Sequence, residues 1–273
     1  MDDEMSYIDN LFSLDDFNYA TLFDPANAIK MTNGKSVILP YSDVIRDQFL
    51  AGMSIGMWIN LQAATATNFV FGQYVNTTKF WELYLRPAIG LGRGWYLTYK
   101  DDAQGITTPQ TINIGGMSEI TQMADLIGIR FNFATSPVTF SAFSGGKDLY
   151  NSSMQPIFAT FNSTFIQAFT GVDFHLGRQV VNNTIYRDYT FFSTENLTKA
   201  QWQRIYNNRK GVAPITIPGI TNAWTFDNGS GTAYLGSSAN RNIDDVIGGR
   251  PVYATGYNSS IVDDFVTFRN ITW

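Results

Sequence analysis

The segment Met53–Asp101, MSIGMWINLQAATATNFVFGQYVNTTKFWELYLRPAIGLGRGWYLTYKD, decides the fold class of this chain. From Met53 to Leu61, large apolar residues alternate with mostly small or polar ones, which is the period of a strand with one buried face. Shorter runs with similar character follow at 69–74, 81–85 and 95–99. Neighbouring strands of this kind need another layer to cover their apolar face, so we predict an all-β, two-sheet antiparallel sandwich.

Strand patterns continue on both sides of this block. Asn33-Gly34 is a strong turn signal and predicts a hairpin across Ala28–Pro40. Alternation predicts two further antiparallel pairs: 126–133 with 137–143, and 171–180 with 184–192.

Two segments instead carry helical signals. Tyr41–Leu50 is predicted as a short helix with Ser42 as its N-cap. Leu197–Asn208 has the clearer pattern, in which Thr198 is the predicted cap. Its apolar stripe consists of Trp202, Ile205 and Tyr206.

The composition limits the classes of partner. The chain has 273 residues, a net charge of −5 and no cluster of Lys and Arg, so we expect no nucleic-acid partner. It contains no cysteine, which excludes disulfides and thiolate metal sites. No run approaches the roughly 18 apolar residues that span a bilayer, so we expect no membrane partner. Aromatic residues make up 15% of the chain and charged residues also 15%, which suits either an extended β protein or a subunit that buries much of its surface in an oligomer or larger assembly.

The chain is interpreted as an arm followed by one domain. Residues 1–27 show little periodicity and are assigned to an N-terminal arm. Residues 28–273 are assigned to a single domain, in which 211–273 form a connector and returning strands. The acidic start lacks the basic and apolar regions of a signal peptide, so no export signal is expected.

The strand order resembles a laminin-G-like domain of the concanavalin A-like lectin/glucanase superfamily. The residues that carry this resemblance are Ser54, Trp58 and Ile59; Phe174, Leu176 and Gly177; Leu197, Thr198, Trp202 and Tyr206; and the tail segment 223–249. The resemblance covers roughly residues 28 to 255 and implies two curved antiparallel sheets packed as a jelly roll. The arm lies outside the pattern.

The resemblance also implies candidate binding residues. Sugar binding is common in this superfamily and needs an aromatic platform, for which the candidates are Trp58, Trp81, Trp95 and Tyr96. The alternative is that these aromatic residues pack in the core or at a subunit interface. No cofactor is expected apart from calcium, which laminin-G-like domains can bind. The candidate calcium ligands are Asp101 with Asp102, and Asp244 with Asp245.

Catalysis is not expected. A glycoside hydrolase needs two carboxyl groups about 5 to 10 Å apart. No glutamate in a predicted strand has a second acid two positions away. His175 is the only histidine and is interpreted as a packed strand residue, and no G-x-S-x-G nucleophile elbow is present.

Elimination leads to two non-enzymatic hypotheses. The first is a structural or adhesive virion protein of a tailed bacteriophage, such as a capsid decoration, head fibre or tail component. Such a protein would assemble in the host cytoplasm and contact other virion subunits through its arm, and it could also bind host surface glycans. The second is an extracellular carbohydrate-binding module of a secreted or cell-surface protein.

Overall fold

The computed structural model describes fourteen segments of the chain: residues 27–61, 68–87, 93–117, 125–132, 139–144, 147–149, 169–178, 185–193, 197–206, 216–224, 241–243, 247–250, 252–255 and 265–267. The strands in them are β1 (Asn27–Met31), β2 (Ser36–Leu39), β3 (Met53–Leu61), β4 (Asn68–Asn76), β5 (Lys79–Pro87), β6 (Arg93–Asp101), β7 (Ile106–Met117), β8 (Asp125–Asn132), β9 (Thr139–Ser144), β10 (Lys147–Leu149), β11 (Phe174–Arg178), β12 (Ile185–Ser193), β13 (Ile220–Trp224), β14 (Arg241–Ile243), β15 (Val252–Thr255) and β16 (Phe265–Thr267). The helices are α1 (Asp43–Leu50), α2 (Lys199–Tyr206) and a 3-10 turn, Asp102–Gln104.

The strands form two antiparallel sheets. Sheet A has the order β10-β9-β8-β3-β12-β1-β16, with β13 also paired to β12. Sheet B has the order β14-β15-β2-β11-β4-β5-β6-β7. The prediction of a two-sheet sandwich of the jelly-roll type is confirmed. The strands after residue 211 return to both sheets, whereas the predicted arm falls, apart from Asn27, outside the described residues.

The predicted hairpin at Asn33-Gly34 is wrong. The turn forms, with Lys35 N donating to Thr32 O at 3.0 Å. However, β1 belongs to sheet A and β2 to sheet B, so the turn carries the chain from one layer to the other. Each strand buries alternate apolar side chains in the core from its own sheet: Ile29 and Met31 from β1, and Val37 and Leu39 from β2. The turn residues therefore specify a chain reversal but not the partner strand.

The predicted pairing of 171–180 with 184–192 is also wrong. β11 lies between β2 and β4 in sheet B, whereas β12 pairs with β3 in sheet A. The opening block is divided in the same way, with β3 in sheet A and β4 to β6 in sheet B. By contrast, β8 and β9 pair as predicted, from Ile127 opposite Ser144 to Asn132 opposite Thr139.

Helix α1 contributes to the core between the sheets. Ser42 caps it as predicted, with its Oγ accepting from Ile45 N at 3.2 Å. Phe49 is fully buried, and its ring lies near Phe131 of sheet A and near rings of sheet B. The centroid distances are 5.8 Å to Phe131, 6.2 Å to Phe71, 5.6 Å to Trp81 and 6.0 Å to Phe174. One side chain thus joins both layers.

Helix α2 covers the outer face of sheet A. The predicted cap is confirmed: Thr198 Oγ1 and Gln201 Oε1 are 2.9 Å apart, and Gln201 N donates to Thr198 Oγ1. Ser54 Oγ and the Arg130 guanidinium hold the backbone of Leu197 just before the helix. Beneath the helix lies a second apolar cluster: Trp58, Leu126, Leu197, Trp202, Ile205, Ile217, Ile220 and Ala223. No helix in the described segments is long and apolar enough to cross a membrane.

Gly128→Ala should lower the free energy of unfolding by about 2 kcal/mol, because overfilling a packed site forces side chains to move. A Cβ at this position would overlap the Trp202 ring and lie 2.8 Å from Ile55 O. Denaturant unfolding measures the effect. In a Trp202→Ala background the same change should cost less, and an equal cost in both backgrounds would show that the ring contact is not its cause.

Candidate functional site

The candidate site lies on the outer face of sheet B, which points away from sheet A. Trp81 and Leu83 on β5 belong to the core, so strand alternation places Glu82 on the opposite face. Glu82 belongs to a row of residues, here called the polar row, that are in register across seven strands: Tyr253, Ile38, His175, Gly72, Glu82, Thr98 and Thr111. His175, Glu82 and Thr98 in the middle of this row are buried.

A clamped carboxylate occupies the centre of the row. Arg178 donates from Nε to Glu82 Oε1 at 2.7 Å and from Nη2 to Glu82 Oε2 at 2.8 Å. His175 Nε2 lies 3.1 Å from Glu82 Oε1. The Glu82 side chain is only 2% exposed and that of Arg178 17%, so the carboxylate lies beneath the guanidinium. The fork geometry of arginine matches a carboxylate with two parallel hydrogen bonds.

Gly177 explains how Arg178 reaches this face. His175 and Arg178 are separated by two residues, so regular alternation would place them on opposite faces. The pairing of β11 with β2 shifts register between them, which indicates a β-bulge. Gly177 has φ 138°, a conformation that favours glycine. The irregularity brings both side chains to the same carboxylate.

The clamp keeps Glu82 ionised. Burial by itself raises the pKa of the Glu82 carboxyl, and the hydrogen bonds from His175 and Arg178 lower it. The net result is a pKa below the ordinary value of 4.5. At neutral pH the site therefore contains a carboxylate–guanidinium ion pair.

Two aromatic rings extend the site beyond Arg178. The guanidinium carbon lies 4.0 Å from the centroid of the Tyr74 ring, a cation–π contact. Tyr74 contacts Phe80 of β5, with ring centroids 5.9 Å apart. Both residues are half-buried. We call Tyr74, Phe80, Glu82, His175 and Arg178 the guanidinium site.

A second aromatic pair lies farther along the same strands. Tyr84 and Tyr96 are stacked with centroids 5.5 Å apart and an interplanar angle of 13°. Each lies two residues from the polar row and therefore on the same outer face. Thr98 and Thr111 bring hydroxyl oxygens within 3.2 Å of each other in the row itself. The outer face thus combines rings with polar groups.

The loop before β11 is fixed from the core side. Gln73 Nε2 donates to Val172 O at 2.7 Å and to Phe169 O at 3.3 Å. Its Oε1 accepts from Trp81 Nε1 at 2.9 Å. A buried amide with these partners is satisfied and holds the segment that leads to His175 against β4.

Of the predicted platform residues, the three whose side chains are described do not come together. Trp81 is fully buried in the core, and Trp58 is 3% exposed beneath α2, where it stacks on Tyr206 at 6.0 Å. These positions argue against a sugar contact for either ring, because Trp81 faces the core between the sheets and α2 covers Trp58. Tyr96 lies on the outer face of sheet B, although it is buried. Trp95 belongs to β6, but its side chain lies outside the described part, so its role stays a prediction.

The two predicted calcium ligands that are described, Asp101 and Asp102, have different partners. Asp101 is buried, and its Oδ1 accepts from Ala103 N at 3.1 Å as the cap of the 3-10 turn. Asp102 is partly exposed and pairs with Lys100 at 3.4 Å. Asp244 and Asp245 lie outside the described residues. Within the described segments, no group of three or more His, Asp or Glu residues is arranged to hold a metal, so calcium stays a prediction.

Sequence reasoning missed the guanidinium site. Glu82 and Arg178 are separated by 96 residues, and their strands become neighbours through β4. One local signal was available: FHLGR combines a histidine, a glycine and an arginine within one strand. Nothing in that motif identifies Glu82 as the partner.

Solved structures with a similar architecture include three from different sources. The Ruminococcus gnavus IT-sialidase CBM40 is 12% identical, with a TM-score of 0.42, and the match covers 65% of this chain and 96% of that one. A structure of botulinum neurotoxin type C, whose cell entry is dependent upon interaction with two ganglioside molecules, is 11% identical with a TM-score of 0.45. The match covers 68% of this chain and 43% of that one. A SAP-like pentraxin from Limulus polyphemus is 8% identical with a TM-score of 0.40; coverage is 67% and 83%.

These likenesses are distant. This chain spans less than half of the neurotoxin chain that it matches. No model of a known protein family matches the sequence, and no curated protein does. The ligand class is therefore inferred from the residues of the guanidinium site.

Proposed function

We propose that this protein is a non-catalytic carbohydrate-binding domain whose ligand contacts Tyr74, Phe80 and Arg178 on the outer face of sheet B. The supporting observation is the Arg178 guanidinium held over the Tyr74 ring by Glu82. A pyranose has an apolar face that stacks on a ring, and hydroxyls that accept from a guanidinium. Ligand sites commonly combine aromatic surface with a few fixed polar groups in this way.

The Glu82–Arg178 ion pair itself favours a role in ligand binding. A buried carboxylate–arginine pair contributes little net stability compared with apolar residues of similar size. The core of the sandwich lies on the other face of sheet B, so this face does not need the pair for packing between the sheets. Recognition of a polar ligand would explain why Glu82 and Arg178 lie on this face.

Hydrolysis is not part of the proposal. Within the polar row Glu82 is the one carboxylate, and it is engaged by Arg178 and His175. A glycoside hydrolase of the usual kind needs a pair of carboxyl groups, one on each side of the scissile bond. The guanidinium site therefore suits binding without bond cleavage.

The virion hypothesis receives no support from the described residues. Its predicted contact, the N-terminal arm, lies almost entirely outside them. Carbohydrate is also the ligand named for a CBM40 structure bound to α2,3 sialyllactose, although that likeness is too distant to carry the proposal. The location of the protein, on a virion or outside a cell, stays a prediction from sequence.

The test is a glycan array followed by calorimetric titration of the sugar that binds. Tyr74→Ala should weaken that sugar about tenfold, or about 1.4 kcal/mol, because it removes the ring on which the sugar packs and the ring contact of Arg178. Tyr206→Ala is the matched control, because it removes a half-buried, ring-stacked tyrosine from α2, which covers the outer face of sheet A. The control should bind within about twofold of the wild type. Equal loss in both variants, or no array signal, would refute the proposed site.

A further inference from the structure

The charge of Arg178 is compensated before any ligand arrives. Its Nε and Nη2 both donate to the Glu82 carboxylate, which fixes the guanidinium in one orientation. The Glu82 side chain is almost completely shielded from solvent, whereas the Arg178 side chain is partly exposed. A ligand on the Tyr74 ring would therefore meet a positioned donor group whose charge is already balanced from beneath.

The nearest described lysines do not add an uncompensated charge to this face. Lys100, opposite Phe80 in the register of β5 and β6, pairs with Asp102 at 3.4 Å and donates to Thr77 O at 3.2 Å. Lys79 precedes Phe80 on β5, so alternation places it on the opposite face, where its ammonium lies 5.2 Å from the centre of the core ring of Phe169. The whole chain carries a net charge of −5, so the long-range field also disfavours anions.

An anionic sugar would meet a specific penalty at this site. Its carboxylate or sulfate would have to share the guanidinium with Glu82, and two negative groups around one cation repel each other at low dielectric. A neutral hydroxyl accepts from the guanidinium without this repulsion. Electrostatic complementarity of this kind sets specificity more than raw affinity.

We propose that Glu82 is a specificity-determining residue: by neutralising and orienting Arg178, it makes the guanidinium site select neutral glycans over glycans that carry a carboxylate or sulfate. This inference rests on the proposed function. Glu82 acts through Arg178 and is a positioning residue, not a ligand contact.

The first test uses the wild-type protein and matched sugars. Neutral hexopyranosides and the corresponding uronic acids and sulfated sugars are compared by titration at two salt concentrations. The neutral sugar should bind at least about tenfold more tightly, and its affinity should change less than about twofold between roughly 50 mM and 500 mM salt.

The second test uses two variants with the same change in charge. Glu82→Gln keeps the shape of the side chain but removes the compensating charge, so it should shift the neutral-to-acidic preference about tenfold toward the acidic sugar. Asp43→Asn removes an exposed acid that pairs with Arg46 on α1, outside the guanidinium site, and should leave the preference unchanged.

The outcomes separate this inference from the proposed function. A wild-type preference for uronic acids or sulfated sugars would overturn the role of Glu82 while leaving carbohydrate binding at Tyr74 intact. An equal shift in Glu82→Gln and Asp43→Asn would also overturn it, because a general field would then explain the preference. Absence of binding to every sugar would refute the proposed function itself. If Glu82→Gln does not fold, the wild-type sugar comparison alone decides.

Discussion

Replacing Phe49 with alanine should lower the free energy of unfolding by about 3–5 kcal/mol. The ring is fully buried and lies within contact range of four other aromatic rings, one on sheet A and three on sheet B. Removing it leaves a cavity at the point where α1 and both sheets meet. Aromatic neighbours that are themselves tightly packed cannot collapse into that space without leaving their rotamers.

The matched control for this change is Val44→Ala on the same helix. Val44 is 50% exposed, so its truncation should alter the free energy of unfolding by no more than about 0.5 kcal/mol. Denaturant unfolding with a common m-value compares the two variants. A loss below about 1 kcal/mol for Phe49→Ala would mean that α1 does not join the two sheets in solution.

Replacing Glu82 with alanine should lower the free energy of unfolding by about 3 kcal/mol, because removing one partner leaves a largely buried charge without compensation. Arg178 would lose two short hydrogen bonds, and His175 would lose its neighbouring carboxylate. Asp43→Ala provides the comparison. Asp43 also pairs with an arginine, Arg46, at 2.8 Å, but it is 70% exposed, so its loss should cost no more than about 1 kcal/mol. Similar losses in the two variants would contradict the clamp.

The stability that Glu82 contributes should also depend on pH. Because the folded state lowers the pKa of this carboxyl below 4.5, the contribution is fully present above that value. It should be lost as the pH falls from about 4.5 through the folded pKa, since the carboxyl then takes up a proton. The difference in free energy of unfolding between the wild type and Glu82→Gln should therefore shrink below pH 4.5. A difference that stays constant there would contradict the lowered pKa.

Local features of this fold could be predicted from the sequence. The caps at Ser42 and Thr198 depend on residues three positions away, and both are present. The alternation around β3 correctly separates the core residues Met53, Ile55 and Met57 from Ser54 and Trp58. Each of these features follows from a pattern within one turn of helix or one strand.

Strand partners could not be predicted in the same way. The turn at Asn33-Gly34 forms, yet its two strands join different sheets. Each strand buries apolar side chains in the core from its own sheet, and the pattern within a strand does not indicate which sheet that is. Trp58 illustrates a related difficulty. Alternation places it on the outer face of sheet A, but it does not indicate that α2, from far along the chain, covers that face.

The guanidinium site combines both difficulties. Arg178 reaches the outer face only through the irregularity at Gly177, and Glu82 becomes its partner only because β4 lies between their strands. The alternation predicts neither event. The tryptophans singled out as a sugar platform proved, where they are described, to lie in the interior, whereas Tyr74 and Phe80 provide half-buried rings beside a fixed charge.

A crystal structure with the highest-affinity sugar from the glycan array tests the central claim most directly. The account predicts that the sugar ring packs on Tyr74 or Phe80 and that at least one hydroxyl accepts from the Arg178 guanidinium, with the Arg178–Glu82 pair intact. A sugar bound elsewhere, for example against α2 on the outer face of sheet A, would contradict the assignment of the guanidinium site as the binding surface.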